Sequence, residues 1–162
     1  MTFETIRAAT KRVLVVITVH PLYVAIAKRV LPPIDRAMYA LTGGRIFSMT
    51  FFSGLLLTTT GRKTGQRRSV PLLYVEHRGL KYVIGSNFGQ RRHPVWTLNL
   101  IATPEAVISV KGRRIPVKAR LLDGDERALI WPVLTAAWPA FDHYTDRTGR
   151  TLRVFELTEL PD

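Results

Sequence analysis

The chain has no cysteine, which excludes a disulfide framework, a thiolate nucleophile and any metal site built on sulfur. Its four histidines, His20, His77, His93 and His143, are scattered, and no pair has the helical spacing of a zinc site. No resident metal is expected. Acid is scarce: 12 Asp and Glu stand against 24 Lys and Arg, for a net charge of +12. Such an excess selects for anionic partners, whether nucleic acid, a phosphorylated cofactor or an acidic membrane face. No strand interleaves aromatic with basic residues in the manner of an RNA-stacking platform, so nucleic acid is not the expected partner. A G-x-G-x-x-G turn after a strand is missing, as is any βαβα alternation, which disfavours a Rossmann fold.

Long apolar runs are missing too. Residues 13–27 are apolar except for Thr18, His20 and Pro21, and are bracketed by Lys11, Arg12, Lys28 and Arg29. As a helix this run would span about 22 Å, short of the roughly 30 Å hydrocarbon core of a bilayer. A cleaved signal peptide is one reading, with Arg7, Lys11 and Arg12 as its basic start and Ala25-Ile26-Ala27 as a small-residue cleavage site, but Pro21 interrupts its apolar stretch. The reading preferred is a helical arm with a proline bend, which either packs on the body or rests on an anionic membrane surface.

What the chain does contain is enough for one domain: 162 residues, 46% of them hydrophobic. Its densest chemistry lies in residues 61–69, Gly-Arg-Lys-Thr-Gly-Gln-Arg-Arg-Ser, between apolar strands at 54–60 and 70–76. Four cations, two glycines and three hydroxyl or amide side chains fall there with no acid. Glycine lets backbone N–H groups approach a ligand, hydroxyls donate, and Arg and Lys make charge-assisted bonds to phosphate or carboxylate. The segment is therefore either an anion cradle or a solvated hairpin tip.

Along the chain, Pro32-Pro33 reads as punctuation, after which Asp35 opens a short helix (Ala37, Met38, Ala40, Leu41) that Gly43-Gly44 stops. Residues 47–52 lead into the body. Strands at 70–76 and 80–85 pair around His77-Arg78-Gly79. A polar loop at 86–92 precedes a helix from Pro94 to about Ala102. Strands at 106–111 and 114–122 form a second hairpin about Gly112, and Pro116 suggests an edge strand or bulge. Asp123 and Glu126 resemble a capping box opening a helix with Leu129, Ile130, Val133 and Leu134 on one face. Pro139 starts another helix carrying Phe141, His143 and Tyr144, and a strand at 151–157 closes the chain. Hairpins with helices inserted between them favour an α+β fold with a mostly antiparallel sheet, open or barrel-closed.

Several ordered blocks carry a resemblance: LTGGR at 41–45, LLLTTTGRKTGQRR at 55–68, VPL at 70–72, GSN at 85–87, HPVWTLNL at 93–100 and WPAFDHY at 138–144. Together they resemble the deazaflavin-dependent (coenzyme F-420-dependent) nitroreductases of actinobacteria, whose fold is a split β-barrel like that of FMN-binding oxidoreductases. The resemblance implies a six- to seven-stranded barrel over residues 41–162, preceded by the arm at 1–40. It implies that Arg62, Lys63, Thr64, Arg68, Ser69, Val70, Pro71, Leu72 and Leu73 hold the coenzyme's phosphate, acidic tail and part of its ring. Gly85, Ser86 and Asn87, with Val95, Trp96, Thr97, Leu98 and Asn99, are implied on the ring and linker side. Trp138, Phe141 and Tyr144 match a row of tyrosines that faces the acceptor in family members reducing bicyclic nitroimidazoles.

Only Tyr144 keeps a hydroxyl in that row, Asn87 replaces a common lysine, and Thr97 replaces a common tyrosine. These departures bear on nitroimidazole reduction more than on coenzyme binding. The resemblance implies reduced F-420 as hydride donor and a flat apolar acceptor, a quinone first or a nitroaromatic. Ser86 and Tyr144 are the candidate catalytic groups, bonding the acceptor oxygen or supplying the following proton, beneath an apolar lid to which Phe51, Phe52 and Phe88 could add. The expected place is the cytoplasm, peripheral to the inner face of the membrane where quinones dissolve. Two other classes stand beside this reading: the same barrel holding FMN or haem, and a non-enzymatic lipid- or nucleic-acid-binding module.

Overall fold

A computed structural model describes residues 21–42 and 53–161 of the chain. The expected strand at 54–60 is β1 (Gly54–Thr60), β-branched at its end and buried through most of its length. It pairs antiparallel with β2 (Arg67–His77), and β2 with β3 (Leu80–Ile84) across a two-residue turn. Arg78 and Gly79 in that turn both have positive φ, 52° and 78°, as a mirror-image hairpin turn requires. A single 3-10 turn (Asn87–Gly89) leads to helix α2 (Val95–Ala102), then the hairpin of β4 (Glu105–Val110) and β5 (Arg113–Leu122). Helices α3 (Gly124–Ala137) and α4 (Ala140–Thr148) precede β6 (Val154–Glu159).

The six strands close into one antiparallel barrel in the order β1-β2-β3-β6-β5-β4, as the split-barrel expectation requires. Closure comes from β1 and β4, which pair through Leu56↔Ser109, Leu57↔Ile108 and Thr58↔Val107. Alternation along the strands then sorts the apolar residues. Leu55, Leu57, Val83, Ile108, Val117 and Phe155 fill the barrel interior, and Trp96 of α2 plugs one end with its ring 5.6 Å from that of Phe155. Tyr82, Ile84 and Val154 face outward, where Ile130, Leu134, Phe141 and Tyr144 of α3 and α4 cover them. Strands β3 and β6 are thus buried on both faces.

Several local expectations are corrected. Pro32-Pro33 does not punctuate the chain: helix α1 (Pro21–Thr42) runs through it, with Asp35 buried in its course rather than at its start. The prolines remove two backbone donors, and the neighbouring Arg29, Val30 and Pro33 are exposed, where water can serve the freed carbonyls. Helix α1 is described from Pro21 onward, and the expected bend there turns on residues 13–20, which lie outside the described residues. Strand β2 begins at Arg67, three residues early, because Arg67, Arg68 and Ser69 pair with Thr60, Thr59 and Thr58. Pro116 lies on no edge; its carbonyl accepts from Leu160 N–H (2.9 Å) one residue beyond β6, so its missing donor falls where that ladder ends.

Asp123 occupies the N-cap position of α3 without a side-chain cap bond, and Glu126 bonds Arg120 (2.6 Å), which also holds Glu156. Leu129 is 80% exposed and belongs to no core face. Strand β6 is displaced from 151–157 toward the C-terminus, where the Glu159–Lys81 ion pair (2.8 Å) fastens its last residue to β3. The expectations for residues 1–20 and for Phe47, Phe51 and Phe52 fall outside the described residues.

Gly89 (φ +65°) lies so close to α4 that a Cβ there would collide with Tyr144 and Arg147. Gly79 (φ +78°) has open space around it. Gly79→Ala should therefore cost only the left-handed backbone penalty of about 1 kcal/mol, and Gly89→Ala that penalty plus overpacking, on the order of 2–4 kcal/mol. Thermal melts of the two variants check this; equal shifts would remove the close approach of loop and helix.

Candidate active site

At the end of the barrel where β1 leaves the sheet, residues 61–66 form an internally bonded turn. Gly61 N–H reaches Gln66 O (2.8 Å), while Thr64 and Gly65 N–H both reach Gly61 O (3.1 and 2.7 Å). Gly65 takes φ +68°, which a side chain would resist. Arg62, Lys63 and Thr64 are exposed on this turn, and Arg68 Nη2 bonds Gln66 Oε1 (2.8 Å). Asn99, 2% exposed on α2, fastens the turn from below. Its Oδ1 accepts from Arg62 N–H (3.2 Å) and its Nδ2 donates to Thr59 Oγ1 (3.0 Å). Both ends of the amide are thereby used.

Next to the turn opens a cleft of about 560 Å³ lined by Thr59, Arg68, Ser69, Val70, Asn87, Gln90, Arg92, His93, Pro94, Val95, Trp96 and Asn99. It has cations, amides and hydroxyls, a flat apolar flank in Val95 and Trp96, and no carboxylate among the described residues that line it. Val95 is 69% exposed although apolar. Such a cleft suits a ligand with a polyanionic end and a flat apolar body.

The far wall comes from residues 85–94. Asn87, Phe88 and Gly89 all have positive φ (49°, 52° and 65°), a run that non-glycine residues seldom adopt. Two arginines hold it there. Arg147 Nη2 donates to Phe88 O (2.9 Å) and Gly89 O (2.7 Å). Arg150, just past the left-handed Gly149 that ends α4, donates to Gly85 O (3.0 Å) and Ser86 O (2.8 Å) and meets His93 Nδ1 (2.8 Å). Burial, then the charges of Arg153 and Arg150, hold the His93 pKa below its ordinary value of 6.5.

The expected site residues fall in different places. Arg68, Ser69, Val70, Asn87, Val95, Trp96 and Asn99 line the cleft, with Arg62, Lys63 and Thr64 on the adjoining turn. Pro71, Leu72 and Leu73 continue β2 away from it, half-buried opposite Leu56, Leu55 and Gly54. Gly85 and Thr97 serve packing: a Cβ on Gly85 would meet Thr97 Cγ2 at 2.8 Å, and buried Thr97 accepts from Arg153 Nη1 (3.0 Å). Ser86 precedes the cleft-lining Asn87, and Leu98 is half-buried beside Trp96.

Trp138, Phe141 and Tyr144 are not brought to the cleft. Phe141 (4% exposed) and Tyr144 (3%) are buried against β3 and β6, with Trp138 packed beside them. Tyr144 instead supports Gly89 from behind. Sequence reasoning missed Gln90, Arg92, His93, Arg147 and Arg150. His93 had a signal, its place in the HPVWTLNL block; the arginines had none, since nothing local marks an arginine that bonds carbonyls some sixty residues away.

The family described as F420H(2)-dependent quinone reductase matches residues 33–159. A Mycobacterium tuberculosis protein (strain H37Rv), named provisionally as an F420H(2)-dependent quinone reductase, is 37% identical over 103 residues, covering 64% of this chain and 87% of that protein. An F420H(2)-dependent quinone reductase of the same strain is 32% identical over 127 residues, covering 75% of this chain and 85% of the relative. Among solved structures, an F420-H2 dependent reductase (FDR-A) superposes with a TM-score of 0.60 at 34% identity, covering 65% of this chain and 94% of the other.

Asn99→Leu should leave Thr59 Oγ1 and Arg62 N–H without their partner and cost about 2–3 kcal/mol of stability. It should also weaken polyanion binding by roughly tenfold, because the turn loses its tether. Denaturant titration and ligand calorimetry read the two effects; unchanged affinity in a folded variant would mean that the tether does not position the turn.

Proposed function

Because the chain belongs to the F420H(2)-dependent quinone reductase family, we propose that the acid-free cleft beside the Gly61–Gln66 turn is where this oxidoreductase binds deazaflavin coenzyme F-420 and brings a quinone against it. The observation that carries the placement is the junction of a cationic turn with the flat flank of Val95 and Trp96 in one cleft. The donor set fits the coenzyme: its phosphodiester and oligoglutamate tail need several cations and N–H groups, and its ring needs a flat apolar neighbour. When bound in reduced form, the coenzyme supplies a hydride.

The chain's own residues bind, orient and exclude water. Arg62, Lys63 and Arg68 take the anionic end with Thr64 and Ser69 donating, Val70 continues that wall while Pro71, Leu72 and Leu73 carry β2 away behind it, and Trp96 and Val95 flank the ring. A quinone that accepts the hydride becomes a hydroquinone on gaining one further proton, for which Ser86, next in the chain to the cleft-lining Asn87, is the candidate relay from solvent. Tyr144, buried behind Gly89, acts through the loop and not on the acceptor. Trp138 and Phe141 pack in the same apolar cluster as Tyr144. Nitroaromatics are the second acceptor class, being equally flat and electron-poor.

The arm has a place in this reading. No helix among the described residues is long and apolar enough to cross a membrane. On α1, however, Ile26, Val30, Ile34 and Leu41 are 44–86% exposed, with Arg29 beside them. This stripe and the basic N-terminal residues support peripheral contact with the inner face of the cell membrane, where quinones dissolve.

In the test of the site, Lys63→Gln combined with Arg68→Gln should weaken F-420 binding, followed by quenching of its fluorescence, by at least about tenfold, and flatten its salt dependence. Unchanged affinity would overturn the placement. For the arm, removing residues 1–30 should lower menaquinone reduction in liposomes while sparing a water-soluble quinone; equal rates with both quinones would exclude it.

A further inference from the structure

We propose that His93 donates a hydrogen bond from Nε2 to a carbonyl oxygen of the flat ring system held in the cleft, and that Arg150 is the positioning residue that reserves Nε2 for this purpose. The inference rests on the functional reading above for the identity of the ring system. It follows from donor and acceptor accounting. Arg150 Nη1 lies 2.8 Å from His93 Nδ1, and a guanidinium can only donate. Nδ1 must therefore present its lone pair, and a neutral imidazole then carries its proton on Nε2.

The arginine has little freedom to do otherwise. Its Nη1 also meets Gly85 O (3.0 Å), its Nη2 meets Ser86 O (2.8 Å), and Nε is buried with no hydrogen-bond partner among the described residues. The fold accepts an unsatisfied N–H to keep the guanidinium in this place, between the end of β3 and His93. His93 itself is half-buried and lines the cleft. The charged groups around it are Arg150 and Arg153 from the segment before β6, Arg92 beside it in the chain, and Arg68 from β2 in the same cleft. All are cations, and no carboxylate lines the cleft among the described residues. Burial first, then the charges of Arg153 and Arg150, oppose protonation and lower the pKa.

A neutral N–H in a cationic field serves an oxygen that is uncharged on binding and gains negative charge as a hydride arrives. The quinone carbonyl has this property; a carbonyl of the coenzyme ring, which gives the hydride up, would take the same N–H only as a contact that positions the ring.

The test is nuclear magnetic resonance on the full chain labelled with 15N-histidine, the His93 signals being those lost in His93→Gln. The expected result is protonated Nε2 and bare Nδ1 from pH 8 to below 6.5. In Arg150→Leu both tautomers appear and the titration moves up toward 6.5. Oxidised F-420 added alone, and then with a quinone, should shift the Nε2–H resonance in one of the two arms, and the arm identifies which molecule owns the oxygen. An Nδ1–H tautomer in the unmodified chain overturns the proposal. So does an unmoved Nε2 in both arms when quenching shows that F-420 is bound. Failure of F-420 to bind would instead remove the functional reading, and this inference with it. In turnover, His93→Phe should lower kcat roughly 10- to 100-fold with coenzyme affinity within about threefold. His93→Gln, whose amide N–H falls near the lost Nε2, should recover most of that loss; equal deficits in the two variants count against the proposal.

Discussion

Closure of the sheet between β1 and β4 is the constraint on which the site depends. Three residue pairs, Leu56↔Ser109, Leu57↔Ile108 and Thr58↔Val107, join the first strand to the fourth, so β1 is hydrogen-bonded on both sides and cannot slide without breaking two ladders. A one-residue slip would also turn Leu55 and Leu57 out of the interior. With β1 locked, Thr59 and the turn that follows it have a fixed position over the barrel end that Trp96 plugs. The cleft is the gap left between that turn and residues 85–94.

Each wall of the gap is then held by polar bonds rather than by apolar packing alone. On one side a single amide, Asn99, spans from Thr59 to the backbone of Arg62. On the other, Arg147 and Arg150 satisfy four carbonyls of the 85–89 segment and stabilise three consecutive left-handed residues. Backbone in this conformation persists only where its surroundings over-determine it. The price is a buried Arg150 Nε without a partner among the described residues, and the return is a wall whose side chains have defined directions.

How much of this was legible in the sequence follows from the range of the interactions. Strands read well where alternation and turn residues act locally: β1 falls on its predicted residues, and the Arg78-Gly79 and Lys111-Gly112 turns sit where glycine demanded them. The anion-binding turn was visible for the same reason, since its glycines, hydroxyls and cations are contiguous. Errors arose where a distant partner decided the outcome. Glu126 bonds Arg120 and, through it, meets the Glu156 strand; β6 shifted along its neighbours to bring Glu159 to Lys81; β2 lengthened to match the register of β1. The aromatic row at 138–144 was read from resemblance as an acceptor wall. Its burial against β3 and β6 depends on how α3 and α4 pack, which no local pattern of Trp138, Phe141 and Tyr144 discloses.

The same distinction sorts the chain's positive charge into two populations with different work. Arg62, Lys63 and Arg68 are exposed, keep their hydration until a ligand arrives, and act at long range on an anion in solution. Arg147, Arg150 and Arg153 are committed to carbonyls, to His93 and to Thr97 before any ligand arrives. Net charge alone cannot separate these roles, because both populations enter the total of +12 equally. The exposed set confers affinity for a polyanion and makes it sensitive to salt, as charges in water are screened. The committed set, of which Arg150 and Arg153 are half-buried and Arg147 is exposed, sets geometry: where the left-handed loop lies, and which nitrogen of His93 bears a proton. Recognition and chemistry in this cleft therefore draw on different arginines.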